Sequence, residues 1–370
     1  MTETQNNPLA KNFDAVSLIR FAFPSMVMML FMGLYTIIDT IFVARFVDTN
    51  ALSSINIVCP VINLIVGLGT MLATGGSAVV AKKMGNGNIE EARNNFTLLV
   101  VAGAVIGLLV TAAGLLFLDE IIWGLGASEV LFPYCRDYLT IQLIFAAFNM
   151  IQVLYQNLFV TAGKPTLGLV LAVLAGTSNI IFDYVFIVLL QMGVGGAAIG
   201  TGIGYMIPSI TGTIFFLMKR SELHFCKPRM DASVLLKSCS NGASEMVSQC
   251  SAAVTTFLFA MLGGESMAKV FAEDNRNVFE ITKNGFIIFS FGFLFSGCNI
   301  FSSALFTALS NGKASAAISF LRTFGFITVF LLVLPRYIQV TGVWLAVPLA
   351  ELFTLMLTVV ILMSHSRSIL

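Results

Sequence analysis

Charge is scarce in this chain. Only 11% of its 370 residues are Asp, Glu, Lys or Arg, against about 25% in soluble domains, and 20 basic against 19 acidic residues leave a net charge of +1. No basic run is long enough to hold nucleic acid. The two histidines, His224 and His365, stand without ligand spacing around them. The six cysteines, Cys59, Cys135, Cys226, Cys239, Cys250 and Cys298, form no CxxC pair, and four lie in or beside apolar runs, which speaks against a disulfide framework or a structural metal site. A Walker loop, a Rossmann glycine pattern and a nucleophile motif are all missing, so neither enzymatic catalysis, nor ATP as partner, nor an organic cofactor is expected. The N-terminal stretch from Met1 to Pro8 is polar and lacks the basic and short apolar regions of a cleavable signal peptide.

What the chain has instead is apolar length. Hydrophobic residues make up 57% of it, the mean hydropathy is +0.92, and ten segments are long enough to cross a bilayer at about 20 residues each. They fall at roughly 16–43, 51–79, 96–118, 134–160, 165–190, 194–217, 238–262, 284–309, 314–338 and 341–363. Helices are required, because lipid offers the backbone no hydrogen-bond partner. The expected fold class is therefore an all-α polytopic membrane protein. With an internal N-terminus, 14 basic residues (Arg322 among them) fall on the inner side and 6 on the outer, which by the positive-inside rule puts both termini in the cytoplasm. The phenylalanines, 33 of them, and 17 methionines suit a cavity for flat organic cations, although most are expected to face lipid or core.

The chain also repeats itself. Phe159-Val-Thr-Ala-Gly-Lys-Pro165, an apolar helix and Gly195-Gly-Ala-Ala-Ile-Gly-Thr201 return as Phe306-Thr-Ala-Leu-Ser-Asn-Gly-Lys-Ala314, an apolar helix and Thr341-Gly-Val-Trp-Leu-Ala-Val347. Upstream the halves are unequal: Pro24 precedes Lys164 by 140 residues, Ser244 precedes Lys313 by 69, and the second half is short by 71. That is close to two crossings and a loop. The turn and helix start from Gly85 to Arg93 have no second copy, and the junction is expected near Gly263 to Ser266. Both halves begin on the same side, so the repeats run parallel about an axis along the membrane normal, with substrate between them. The expected organisation is a six-helix lobe over 1–220, a linker over 221–237 marked by Pro228, and a shortened lobe of about four helices over 238–370.

Few polar residues interrupt the apolar segments. Asp39 stands in an otherwise apolar run from Met26 to Ala44; an ionised carboxylate at the centre of a membrane helix costs about 2.5–3.5 kcal/mol on insertion scales, so a partner or a role is expected. The alternative places it near the helix end, neutralised by Arg45 or water. Pro24 in the same helix removes a hydrogen bond and permits a bend. Asn179 and Asp183 are four residues apart and share a helix face, with Thr201 near the start of the next helix. They could instead satisfy only each other and nearby backbone. Glu245 and Glu351 are the acids of the second half, and 284–309 offers Asn299 but no Asp.

On Ile37-Ile-Asp-Thr-Ile-Phe-Val43, Gly85-Asn-Gly-Asn88, Ala162-Gly-Lys-Pro165, Asn179-Ile-Ile-Phe-Asp183, Gly196-Ala-Ala-Ile-Gly-Thr201 and Val347-Pro-Leu-Ala-Glu351, the chain resembles the multidrug and toxic compound extrusion (MATE) transporters. The resemblance implies two six-helix lobes around a V-shaped cavity, here with about ten helices instead of twelve because the second and third of the C-terminal lobe are missing. It implies that Asp39, Asn179, Asp183 and Thr201 bind the coupling proton or sodium ion, the only metal ion expected. Their oxygen donors suit a hard cation. Glu245 matches a carboxylate that part of the family uses for cation coupling, and Asn299 and Glu351 are further candidate cation or substrate contacts. The function so implied is a secondary antiporter in the inner membrane of a prokaryote, exporting amphipathic, cationic compounds in exchange for protons or sodium ions. Two other readings stand beside it: a lipid-linked oligosaccharide flippase of the same superfamily, and a shortened form that does not transport.

Overall fold

The computed structural model describes residues 45–219, 221–249, 295–307 and 311–369, with isolated positions within 23–43 and 288–292 and side chains as far as Ile361. Among these residues no strand occurs. Two compact units divide after Cys239.

In the first unit, the described positions of 23–46 are helical (α1). The Asp48 carboxylate then accepts the Ala51 N–H at 2.7 Å and caps α2, Thr49–Gly85. This helix outruns its apolar part because Lys82 and Lys83 occupy the last turn, where the carbonyl end of the helix dipole favours positive charge. Helix α3, Ile89–Leu116, starts seven residues before the apolar segment for the converse reason, with Glu90 and Glu91 in its first turn. Lys83 pairs with Glu91 across the intervening turn, and Gly87 supplies its left-handed residue at φ 79°.

After the short α4, Leu118–Gly124, the segment expected as one crossing over 134–160 is two helices, α5 (Phe132–Ile144) and α6 (Ala146–Thr161), bent by 53°. A bend frees backbone carbonyls, and in lipid each must find a donor. Thr111 of α3 donates its hydroxyl to the Leu143 carbonyl at 2.6 Å. Ser209 of α8 (Gly193–Leu217) does the same for Phe148 at 2.7 Å. Helix α7, Pro165–Asp183, runs on into a wide π turn at Tyr184–Leu189. Tyr155, Phe159 and Phe216 form the buried centre, with Phe159 stacked on Phe216 at 5.3 Å, while residues such as Leu109, 62% exposed, form the outer apolar surface that lipid covers.

The second unit takes up the rest of α9, 232–249, whose first turn is capped by Asp231. The Ser233 hydroxyl and N–H beside that acid hold its carboxyl below the usual range. The described positions of 288–307 form α10. Helix α11, Gly312–Phe320, passes through a π turn at Leu321–Gly325 into α12, Phe326–Ile369. The expected separation of 314–338 from 341–363 is present as a break inside α12, where Ile338 and Gln339 leave helical geometry. The rest of the 238–262 segment and the expected junction at Gly263 to Ser266 lie outside the described residues. Among the described residues five helices are long and apolar enough to cross a membrane, six if the bent α5–α6 pair is one span.

The sequence repeat is also a repeat of backbone detail. The Lys164 N–H donates to the Phe159 carbonyl at 2.8 Å, and the Asn311 N–H donates to the Phe306 carbonyl at 2.8 Å. Further on, each unit makes its next break at a glutamine with positive φ, Gln191 at 52° and Gln339 at 49°.

Close helix packing relies on missing side chains. A Cβ on Gly107 of α3 would lie 2.5 Å from the Ala147 Cα of α6, whereas one on Gly124 would meet nothing within 4 Å. Gly107→Ala should therefore destabilise the first unit by about 1–3 kcal/mol. A lowered melting temperature of the detergent-purified protein, with Gly124→Ala unchanged, is the measurement.

Candidate functional site

Four helices of the first unit bring oxygen atoms together. Helix α1 contributes Tyr35 and Asp39, α6 Gln152, α7 Asn179 and Asp183, and α8 Thr201 and Tyr205. Glycines let these helices approach. A Cβ on Gly176 of α7 would lie 2.7 Å from the Phe31 ring and 2.9 Å from that of Tyr35, and one on Gly200 of α8 would lie 2.3 Å from Asp183 Oδ1. The absent side chain at Gly200 is thus the seat of the Asp183 carboxyl.

The two acids are close enough to act on one another electrostatically. Asp183 is fully buried, and Asp39 is half-buried. Among the described residues no N–H or O–H group reaches Asp39 Oδ1 or either Asp183 oxygen. Arg45 is exposed, and among the described residues no ion pair joins it to Asp39. Asn179 does not satisfy Asp183 either, since its amide nitrogen points to Thr201 Oγ1 at 3.4 Å while Thr201 donates to the Ala197 carbonyl at 3.0 Å. Asn179 Oδ1 and Gln152 Oε1 are likewise buried without a donor. Beside them lies a partly open cavity with about 220 Å³ of empty space, lined by Tyr35, Gln152, Ala175, Asn179, Thr201, Gly204 and Tyr205. Among the described residues its aromatic lining is tyrosine, without Phe or Met.

Asp39, Asn179, Asp183 and Thr201 thus fall in one region. Pro24 lies in α1, half-buried. Gln152, Tyr35 and Tyr205 are additions that polarity alone leaves unmarked in long apolar helices. Gln152 had one available signal: with Phe159 set on Phe306, it aligns with Asn299.

In the second unit, Asn299 and Glu351 are in contact. The Asn299 amide donates to Glu351 Oε2 at 2.8 Å and to the Glu351 carbonyl at 2.9 Å. Glu245 on α9 lies within electrostatic reach of Arg322, and Arg322 Nε is 3.8 Å from Glu351 Oε1. Arg322, which the topology tally assigns to the inner side, lies in the π turn between α11 and α12 with its side chain 17% exposed.

Helices of this length and apolarity define a polytopic membrane protein. A MatE family model matches residues 24–185, the part that contains Asp39, Asn179 and Asp183. The chain is 25% identical over 209 residues to the multidrug export protein MepA of Staphylococcus haemolyticus, covering 56% of this chain and 46% of the relative. The match to MepA of Staphylococcus aureus is of the same kind, 25% over 207 residues. The chain therefore spans about half the length of the curated relatives it matches. Among solved structures, the MATE multidrug transporter DinF-BH has a TM-score of 0.84 at 23% identity, covering 98% of this chain and 97% of that one. A MATE protein in complex with MaD3S gives 0.83 at 18%, covering 96% and 97%. The sequence likeness to this family thus lies in residues 24–185, and the fold as a whole is similar to that of solved MATE proteins.

Gly200→Ala should push the Asp183 carboxyl out of its seat, and any stabilisation by sodium ions or protons that depends on that carboxyl should then need about 10–100-fold higher concentration. Gly195→Ala, whose Cβ would meet Ile141 at an ordinary 3.5 Å, should leave that concentration unchanged. Melting-temperature shifts on titration with sodium chloride against choline chloride, and with pH, compare the two variants.

Proposed function

We propose that the chain is a secondary antiporter, exporting amphipathic organic cations across the cytoplasmic membrane of a prokaryote in exchange for protons or sodium ions taken up at Asp39, Asn179, Asp183 and Thr201. The observation that carries this reading is the pair of facing carboxyls without a protein donor. Two carboxylates in an apolar bundle repel each other and have lost hydration, so they need a cation between them: a proton shared by the pair, or a hard metal ion that the neighbouring amide and hydroxyl oxygens also hold. Similarity to multidrug export proteins supports the cargo class.

Each elementary charge moving down 100 mV supplies about 2.3 kcal/mol. Cation binding favours one arrangement of α1 against α7 and α8, and cargo favours the other, so the two exchange by differential affinity. The bend permitted at Pro24 gives α1 the freedom this requires. The matched 209 residues are 56% of this chain but 46% of the relative, so the relative is the longer protein. That supports a second unit short of two helices by comparison with the family.

Asp39→Asn and Asp183→Asn should each abolish dye efflux driven by an imposed proton or sodium gradient in reconstituted vesicles, lowering the rate by at least about 100-fold, while both variants insert and purify normally. Undiminished efflux by both would overturn the assignment. Efflux that is absent from the unsubstituted protein, in vesicles where it is folded, would favour the non-transporting reading.

A further inference from the structure

The second unit holds a group of charges that the coupling site does not use. Arg322 lies in the π turn between α11 and α12, and its Nε is buried without a hydrogen-bond acceptor. Around it stand two acids from two other places in the unit: Glu351, whose Oε1 is 3.8 Å away with both side chains largely buried, and Glu245 on α9. Asn299 fixes Glu351 through Oε2, and Thr358 donates to Asn299 Oδ1 at 3.4 Å. A guanidinium inside a membrane bundle is costly unless it serves its neighbours, and this one makes no close hydrogen bond to the acid it faces. Its contribution is charge placed beside two carboxylates.

The repeat shows what it replaces. In the register that sets Phe159 on Phe306, Asn299 of α10 takes the place of Gln152 of α6. Gln152 lines the cavity of the first unit, where among the described residues the buried oxygens have no protein cation beside them. The equivalent amide in the second unit binds Glu351, with Arg322 on the other side. The two units thus present comparable sets of acid, amide and hydroxyl oxygens, one empty of positive charge and one supplied with it by the chain.

We propose that Arg322 is a tethered cation occupying the acidic cluster of the second unit, so that this cluster, unlike the one at Asp39 and Asp183, takes up no diffusible metal cation. Without the guanidinium, the carboxylate oxygens of Glu351, with Glu245 within electrostatic reach of the same place, are hard donors suited to an alkali ion. The inference concerns the second unit alone and stands whether or not the first unit couples transport.

The test measures bound radioactive sodium by equilibrium dialysis of the full-length protein in detergent, in an Asp183→Asn background that removes the first unit's contribution. Arg322→Gln should add about one sodium ion per chain, since one hard-donor site is freed. The double variant Arg322→Gln and Glu351→Gln should lose it again. Glu351→Gln alone should leave the sodium bound unchanged. A folded Arg322→Gln protein with no added sodium overturns the proposal. So does a fall in bound sodium with Glu351→Gln alone, which shows that the cluster already holds a metal ion; this arm decides the matter even where Arg322→Gln does not fold.

Discussion

Two carboxyls with nothing but each other for company set the terms for the first unit. In water Asp39 and Asp183 would be ordinary acids; between apolar helices they lack solvent, basic partner and hydrogen-bond donor at three of their four oxygens. Removing a charge from water into such a place is among the largest unfavourable terms available to a folded chain. Everything nearby accommodates that fact. Asp183 closes α7 where the helix widens into its π turn, and Gly200 leaves the space that its carboxyl fills. Asn179 and Thr201 engage each other and leave an amide oxygen facing inward.

The helices that carry these groups obey the same constraint at backbone level. A chain in lipid cannot bend without supplying donors for the carbonyls it frees. The 53° bend between α5 and α6 is met by hydroxyls from two neighbours, Thr111 and Ser209. That bend presents Gln152 to the cavity. Glycines at helix contacts then bring the oxygen-bearing faces close enough to act together.

Much of this was legible from residue types. Apolar length defined helices and membrane, and the Phe159 and Phe306 stretches announced a repeat that the backbone reproduces in matching hydrogen bonds. Asp39, Asn179 and Asp183 stood out because a polar residue in an apolar run needs a reason. Helix ends were misplaced for a physical cause: hydropathy follows apolar residues, whereas α2 and α3 extend into charged turns stabilised by the helix dipole. The bend at Phe145 was invisible because its donors come from other helices. The pairing of Arg322 with Glu351 carried no signal in the sequence, because the two residues come from separate apolar segments. Tyr35 and Tyr205 carried no signal, being ordinary members of apolar segments.

Arg322 also bears on how the protein experiences voltage. A guanidinium fixed to the backbone cannot be released on either face of the bilayer, so it carries no current through a cycle, whatever its electrostatic work within the bundle. Only ions that arrive and depart contribute to net charge displacement. On the proposed reading, a unit neutralised from within is to that extent electrically silent, and the electrogenic character of any exchange would rest with Asp39 and Asp183.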